Sequence, residues 1–545
     1  MKTILRISGV VIVLAAICVA IMMAAGLPGR MGCRETDAHK SQPAHSNPFD
    51  MRLKIPRDRS SAVPVASERT IERFCSTCHV LPPADCEPRS LWAEKIQEMF
   101  AYAGSGQAWP TAEMPTLQEA TAYWASRAPE QLELPQETTG SPPSPLPFER
   151  HPIRLAGIPG APAVSNVSFV QLADDGPTQL LISDMRHGVV LLWTPSRPEE
   201  PAKIIGRVPH PSRAHVVDLD GDGIRDILVA NLGVFWNVDT DQGSVVWLRG
   251  LGDDEFRSHV LVGGISRVSD VRAADFDGDG DLDIVAAVFG NFTTGMILYL
   301  ENHTEDYSEP DFEPISLDGH TGTSDIHVLD LNRDGRPDFM ALQSQQHEQV
   351  LAFLNAGRGR FHREVIYQAP HPRWGSTGIR LVDLDGDGDV DVLLNHGDSV
   401  QVPPVLRPYH GFGWLENQGE FPFIYHRLAH LPGAHTAQTA DLDGDGDLDL
   451  VSSVFIPAYD SAWPSARQLE TVIWLEQTEP GRYQRYVLET GCARYPCLDL
   501  GDWDDDGDVD IVLGNFVLFE RPEDEAAPAL MVLENRSQDR QVPPP

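Results

Sequence analysis

From Phe148 to about residue 540 the chain alternates short apolar runs with polar turns. The pattern recurs with spacings of 57, 55, 53, 58 and 61 residues between the acidic turns that begin at Asp218, Asp275, Asp330, Asp383, Asp441 and Asp502. In the third repeat the apolar runs are VSDVRAADF, LDIVAAVFG, GMILYLEN and FEPISL, which read as four strands. A long period made of four short strands predicts propeller blades. A degenerate turn, QLADDGPTQLLIS from Gln171, adds a seventh unit and predicts seven blades. Most units close on an aromatic-led strand, as in FRSHVLV at 256 and FHREVIY at 361. The last unit has none after ALMVLEN, but FERHPIRL from Phe148 precedes the first. That segment is expected to complete the seventh blade and remove the ring's open edge.

Upstream the period changes. Within Ser90–Ala103, apolar residues fall at 92, 96, 99, 100 and 103, a helical spacing. Thr116-Leu117-Gln118-Glu119 is a capping box opening a second helix. Residues 69–131 are therefore predicted to form a small all-α domain, and residues 132–147 (LELPQETTGSPPSPLP) a stiff Pro-rich linker to the propeller at 148–540. Residues 34–68 read as a polar tether. Residues 1–30 carry Lys2 and Arg6 and then an uncharged apolar run from Gly9 to Leu27, expected to be a signal peptide or a membrane-anchoring hydrophobic helix. Either reading exports the rest of the chain.

The net charge of −38 excludes a nucleic-acid-binding surface, because no basic stripe offsets it. The acid is concentrated in the turns D-x-D-G-D-G-x-x-D, where alternating carboxylates and a glycine at position six suit a hard cation. The expected ligands are Asp218, Asp220, Asp222 and Asp226; Asp275, Asp277, Asp279 and Asp283; Asp330, Asn332, Asp334 and Asp338; Asp383, Asp385, Asp387 and Asp391; Asp441, Asp443, Asp445 and Asp449; and Asp502, Asp504, Asp506 and Asp510. They would hold up to six Ca²⁺ ions in a structural role. Asn332 and Arg333 weaken the third set. No Glu stands at position twelve, so these are not EF-hands.

Cys75-Ser76-Thr77-Cys78-His79 is the attachment signature of one c-type haem. Two thiols add to the vinyl groups and His79 becomes an axial iron ligand. A zinc site that adds Cys86, or a plain disulfide, are the alternatives; adjacent Cys78 and His79 fit one tetrahedral ion poorly. The sixth iron ligand is expected to be Met99, with Met114 as the alternative. Cys492 and Cys497 are close enough in sequence for a local disulfide.

Three residues before each acidic turn the side chain is polar: Ser168, His215, Arg272, His327, Arg380, Gln438 and Asp499. Five before stand Asn166, Arg213, Asp270 and Asp325. These positions, with His435, belong to innermost strands and would ring a central channel. Long loops at 232–242, 396–411 and 455–469 should open on the face away from the acidic turns, and the last two carry His396, Asp398, Tyr409, His410, Tyr459, Asp460 and Trp463. Together they form a possible funnel for a small-molecule or glycan ligand, with Arg213, His215, Arg272, Asp325, His327, Arg380, His435 and Gln438 as its candidate residues.

The acidic turns resemble the FG-GAP or VCBS repeats of integrin-like calcium-binding propellers. The helical domain is similar to short c-type cytochromes in which C-x-x-C-H is followed by W-x-x-x-I-x-x-M and Y-W-x-x-x-A-P, here Trp92, Ile96 and Met99, then Tyr123, Trp124, Ala128 and Pro129. The whole resembles bacterial fusions of a cytochrome c domain with such a propeller. This implies a membrane-anchored or secreted monohaem cytochrome on the periplasmic side of the cytoplasmic membrane. Its haem would exchange electrons with a periplasmic or membrane redox protein, and its propeller would bind a ligand or partner. The alternatives are a propeller that oxidises a sugar- or alcohol-type substrate and reduces the haem, and a haem-bearing adhesin or sensor. No flavin or nucleotide fingerprint and no hydrolase triad supports a catalytic propeller.

Overall fold

The computed structural model describes residues 68–537, apart from residues 78, 105–113, 136–139, 292, 401–403 and 458–467. The hydrophobic segment at 1–30, most of the tether, Cys78 and the core of the 455–469 loop lie outside the described residues. Among the described residues no helix is long and apolar enough to cross a membrane.

Residues 148–535 form seven four-stranded antiparallel sheets, the blades of a closed all-β propeller. Each acidic turn links an innermost strand to a second strand that is buried throughout, as in Asp226–Asn231 and Asp283–Val288. The second and third strands are nearly continuous apolar runs because neighbouring blades cover both faces. The cores lie between blades: Leu228, Val245 and Trp247 of the second blade pack against Val271, Ile284 and Leu300 of the third. Innermost strands contact their neighbours all the way round the ring.

The expected closure is present. Phe148–Ile153 pairs antiparallel with Leu530–Asn535, from Phe148 opposite Asn535 to Ile153 opposite Leu530. The linker does not simply span a gap. Ser141 donates from its backbone N and its Oγ to the Glu470 carboxylate at 2.8 and 2.9 Å, and Pro143 bridges to Val487. The sixth blade thus holds the end of the linker.

Three α-helices make up the described part of the small domain: α1 (Glu68–Cys75), α2 (Trp92–Gly104) and α3 (Leu117–Arg127). The capping box at Thr116 and Glu119 is formed in both directions. Trp92 stacks on Trp124 with ring centroids 4.7 Å apart, and the Trp92 indole N–H donates to the Ala84 carbonyl at 3.0 Å. Ile96, Ala120, Ala128 and Cys86 complete this core.

Candidate functional site

Helix α1 ends on Cys75, and the chain then turns to His79. His79 Nδ1 lies 2.8 Å from the Val80 carbonyl oxygen. A carbonyl can only accept, so Nδ1 carries the proton and the Nε2 lone pair is available to a metal. Burial lowers the imidazole pKa below its ordinary value, and this backbone bond partly opposes the shift. Met99 and Met114 are 39% and 40% exposed, and Val80 and Leu117 of the same domain are similarly exposed. Met99 is therefore no core filler: on its helix Trp92 and Ile96 face inward, and it does not. Exposure does not separate Met99 from Met114. A helix-end thiol and an imidazole with a free Nε2 are donors of the kind that a c-type haem uses. The zinc alternative fits less well, because Cys86 sits in the tryptophan core where burial pushes its thiol up to about 12, away from the thiolate that zinc requires.

The small domain rests on loops of the propeller that lie away from the acidic turns. Glu87 is fully buried, and its Oε1 accepts from Arg373 Nε and Arg407 Nη2, each at 2.7 Å. Burial pushes the Glu87 carboxyl up, but Arg407 and Arg373 outweigh it and hold the pKa below its ordinary value. Tyr409 donates to the Cys86 carbonyl at 3.1 Å and stacks on Trp374, with His371 edge-on to its ring at 4.7 Å. His79 and His347 are close enough to influence each other electrostatically, as are Tyr102 and Asp239. Of the aromatic loop expected to line a pocket, Tyr409 serves this docking. His396 is buried with Nε2 2.8 Å from Tyr425 Oη, and His410 is buried beside Ser399. Asp398 donates its backbone N–H to the Gly375 carbonyl at 3.0 Å. Tyr459, Asp460 and Trp463 lie outside the described residues. Glu87, Arg373 and Arg407 carry no motif, and only their pairing across the fold reveals them. The Cys492 and Cys497 thiols are not joined.

The acidic turns share one construction. Position nine (Asp226, Asp283, Asp338, Asp391, Asp449 and Asp510) is buried and accepts at least two backbone N–H groups. For Asp226 the donors are Leu219 at 2.9 Å and Gly250 at 2.6 Å; for Asp510 they are Trp503 and Asn535, both at 2.7 Å. These carboxylates staple the turn to the third strand. Burial raises them, Asp226 to about 6 and Asp449 and Asp510 to about 7. Position six is glycine at φ of 84° to 103°, and its N–H reaches back to the first carboxylate, as Gly446 does to Asp441 at 3.0 Å. Among the described residues, carboxylate oxygens converge within 4.8 Å in at least four of these turns: Asp218, Asp220 and Asp226; Asp275, Asp277 and Asp279; Asp383, Asp385 and Asp391; and Asp441, Asp443 and Asp445. Such sets fit a hard cation.

The turns differ in what the third strand offers them. Glu301, Glu416, Glu476 and Glu534 occupy equivalent positions, but the second blade has Arg249 there. Arg249 Nη2 lies 2.6 Å from Asp220 Oδ2 and 3.8 Å from Asp222 Oδ2. Arg336 likewise pairs with Asp334, and Arg333 reaches Asp389 of the next turn at 2.7 Å. In the degenerate first turn the Gln171 amide donates to the Asp174 and Gly176 carbonyls at 3.1 and 2.9 Å, cross-linking the loop without carboxylates.

The innermost strands bring most of the polar ring together. Asp270 and Asp325 are fully buried. Asp270 faces His215 at 2.8 Å and Arg272 at 2.7 Å, and takes the Ile326 N–H of the next blade at 3.0 Å. Asp325 accepts from Arg213 of the second blade, which crosses the channel to reach it, lies 3.1 Å from His327 Nε2, and takes the Ile379 N–H at 3.0 Å. The neighbouring Arg272, Arg213 and His215 hold Asp270 at about 2 despite burial, and burial keeps His215 near 4 and neutral. Gln438 donates to Asp499 Oδ1 at 3.3 Å. His435 is set apart, with Nδ1 2.7 Å from the Pro496 carbonyl oxygen.

A family model for the FG-GAP-like repeat matches residues 218–286 and 330–394, two stretches that each begin at an acidic turn. The propeller carries FG-GAP-like repeats. Among curated proteins, human cartilage acidic protein 1 is 28% identical over 165 residues, 27% of this chain and 23% of that protein. The mouse protein of the same name is 28% identical over 157 residues, 27% of this chain and 24% of its own length. The chain thus spans about a quarter of the length of these relatives. The crystal structure of BBS1N in complex with ARL6DN, soaked with lead, is similar over 72% of this chain and 96% of that one, at 13% identity and a TM-score of 0.38.

Proposed function

We propose that this protein is an exported monohaem electron carrier whose FG-GAP propeller, stiffened by Ca²⁺, binds a ligand or partner. The observation that carries this reading is His79. It follows a helix-end thiol in C-x-x-C-H, its Nδ1 proton is held by Val80, and its domain leaves Val80, Met99, Met114 and Leu117 in solvent. When bound, haem supplies one-electron chemistry. The chain holds the imidazole in the ligating tautomer, presents Met99 or Met114, and anchors the domain through Glu87. A periplasmic or membrane redox protein is the partner that suits such a carrier. The test is the visible spectrum of the haem-matured protein. A c-type α-band that dithionite develops, and that Cys75→Ala/Cys78→Ala abolishes, supports the proposal; a matured chain with no c-type spectrum overturns it.

The docking favours a second reading, in which the propeller oxidises a sugar- or alcohol-type substrate and reduces the haem. The small domain sits on the loop face that such a substrate would enter. Haem reduction on adding substrate to purified protein would establish that reading, and its absence across sugars, alcohols and polyphenols would leave the carrier.

A further inference from the structure

The channel network satisfies its carboxylates but not its guanidiniums. Arg272 donates from Nη1 to Asp270 Oδ1 at 2.7 Å and to the Val271 carbonyl at 3.0 Å. Arg380 donates from Nη1 to the Ile379 carbonyl at 3.1 Å, with Asp325 Oδ2 at 3.8 Å. Among the described residues neither guanidinium has a partner for Nε or Nη2, and neither is sealed from water: 17% and 27% of the two side chains is exposed. Each therefore keeps a planar fork of donors in the channel, the geometry that matches a carboxylate or phosphate in bidentate fashion.

Arg213, Arg272 and Arg380 face three carboxylates, the strongly acidic Asp270 and Asp325 and, beside Arg380, Asp499. Asp499 has its oxygens occupied by the Phe169 N–H and by Gln438, and burial raises it. Burial lowers Arg272 and Arg380 themselves, and the neighbouring guanidiniums add to that. Arg213 reaches from the second blade to Asp325 on the fourth. Elsewhere a protein of net charge −38 repels anions, so two guanidinium forks with free edges stand out against that background.

We propose that the propeller channel binds one small oxyanion, a carboxylate or a phosphate, between the free guanidinium edges of Arg272 and Arg380. This rests on the reading of the propeller as a ligand-binding module and gives that ligand a chemistry. The experiment is calorimetric titration of the full chain, in chloride-free buffer, with inorganic phosphate, with malonate and with glucose. Binding of one phosphate or malonate per chain, weakened at least tenfold in Arg272→Gln/Arg380→Gln, is expected; whichever anion binds tighter identifies the source. Arg380→Lys keeps the charge without the fork, so a partial loss there supports bidentate recognition even if the double variant folds poorly. Glucose binding without anion binding overturns the oxyanion assignment and leaves the ligand-binding reading standing. Anion binding that survives both substitutions overturns the placement, and a folded chain that binds neither anion overturns the proposal.

Discussion

The Glu87 contact and the acidic turns solve one problem in opposite ways. Glu87 is buried with two guanidiniums from its own chain, so its charge is neutralised as soon as the two surfaces meet. The acidic turns gather carboxylates within 4.8 Å of one another, and those from Asp275 and Asp441 show no ion pair among the described residues. A contact of the first kind is permanent and needs nothing from solution. On the proposed reading a loop of the second kind is completed by Ca²⁺ from outside, and its stability would then follow the concentration of that ion. The second blade and the Asp330 turn stand between, because Arg249 and Arg336 place a guanidinium against a turn carboxylate.

The largest effect expected on this contrast is removal of calcium. Each site occupied at a hundredfold excess over its Kd contributes about 2.7 kcal/mol, so chelation should lower the unfolding midpoint strongly and reversibly, as followed by circular dichroism. Next is Glu87→Ala, which leaves Arg373 and Arg407 buried without their carboxylate and should cost about 3–5 kcal/mol of the docked state. Faster hydrogen exchange over Trp92–Gly104, with unchanged exchange in the distant blades, would show it. Arg249→Glu gives the second blade the residue its neighbours carry and should raise the bound Ca²⁺ count, or the affinity of that turn, about tenfold in a competitive chelator titration; an unchanged titration would mean Arg249 does not compete.

Acid should act on the latch in a defined direction. The folded pKa of Glu87 lies below its unfolded value of about 4.3, so its contribution is complete above that value and fades as pH falls through the folded one. Hydrogen exchange of the small domain should therefore stay flat from neutral pH to about 5 and rise below about 4. The smallest effect expected is from Gln171→Ala, about 1 kcal/mol, since it removes two neutral hydrogen bonds from an exposed loop.

What repeats was legible in the sequence. The blade count, the closing strand at Phe148 and the acidic turns each recur with a period, and periodicity is a local signal that hydropathy and turn residues carry. The helices from Trp92 and Leu117 were readable from spacing and a capping box. What occurs once was not. The Glu87–Arg373 pair joins residues 286 positions apart, and nothing near either residue marks it. Tyr409, His396 and His410 were placed on the correct loop but given to a ligand. The fold uses Tyr409 for docking and buries both histidines, because an aromatic loop looks alike whether it covers a domain or lines a pocket. The position-nine aspartates were expected as cation ligands, and the structure shows that they also accept at least two backbone amides each, a role that depends on a third strand some twenty residues away. The sequence also suggested a disulfide between Cys492 and Cys497, but proximity along a chain does not align two thiols.

The seam at Phe148–Ile153 sets an order of events for a chain emerging from the ribosome. The strand that finishes the ring is made before the other twenty-seven, and its partner Leu530–Asn535 is made last of all; Arg536 and Glu149, which pair across the seam, are 387 positions apart. Throughout synthesis the ring must wait open, with one strand's worth of unpaired backbone at each lip. The small helical domain is complete long before then, and the loops that receive it at Arg373 and Arg407 emerge midway. Docking can therefore precede ring closure and hold the first-made strand near the place where the last-made strand will arrive.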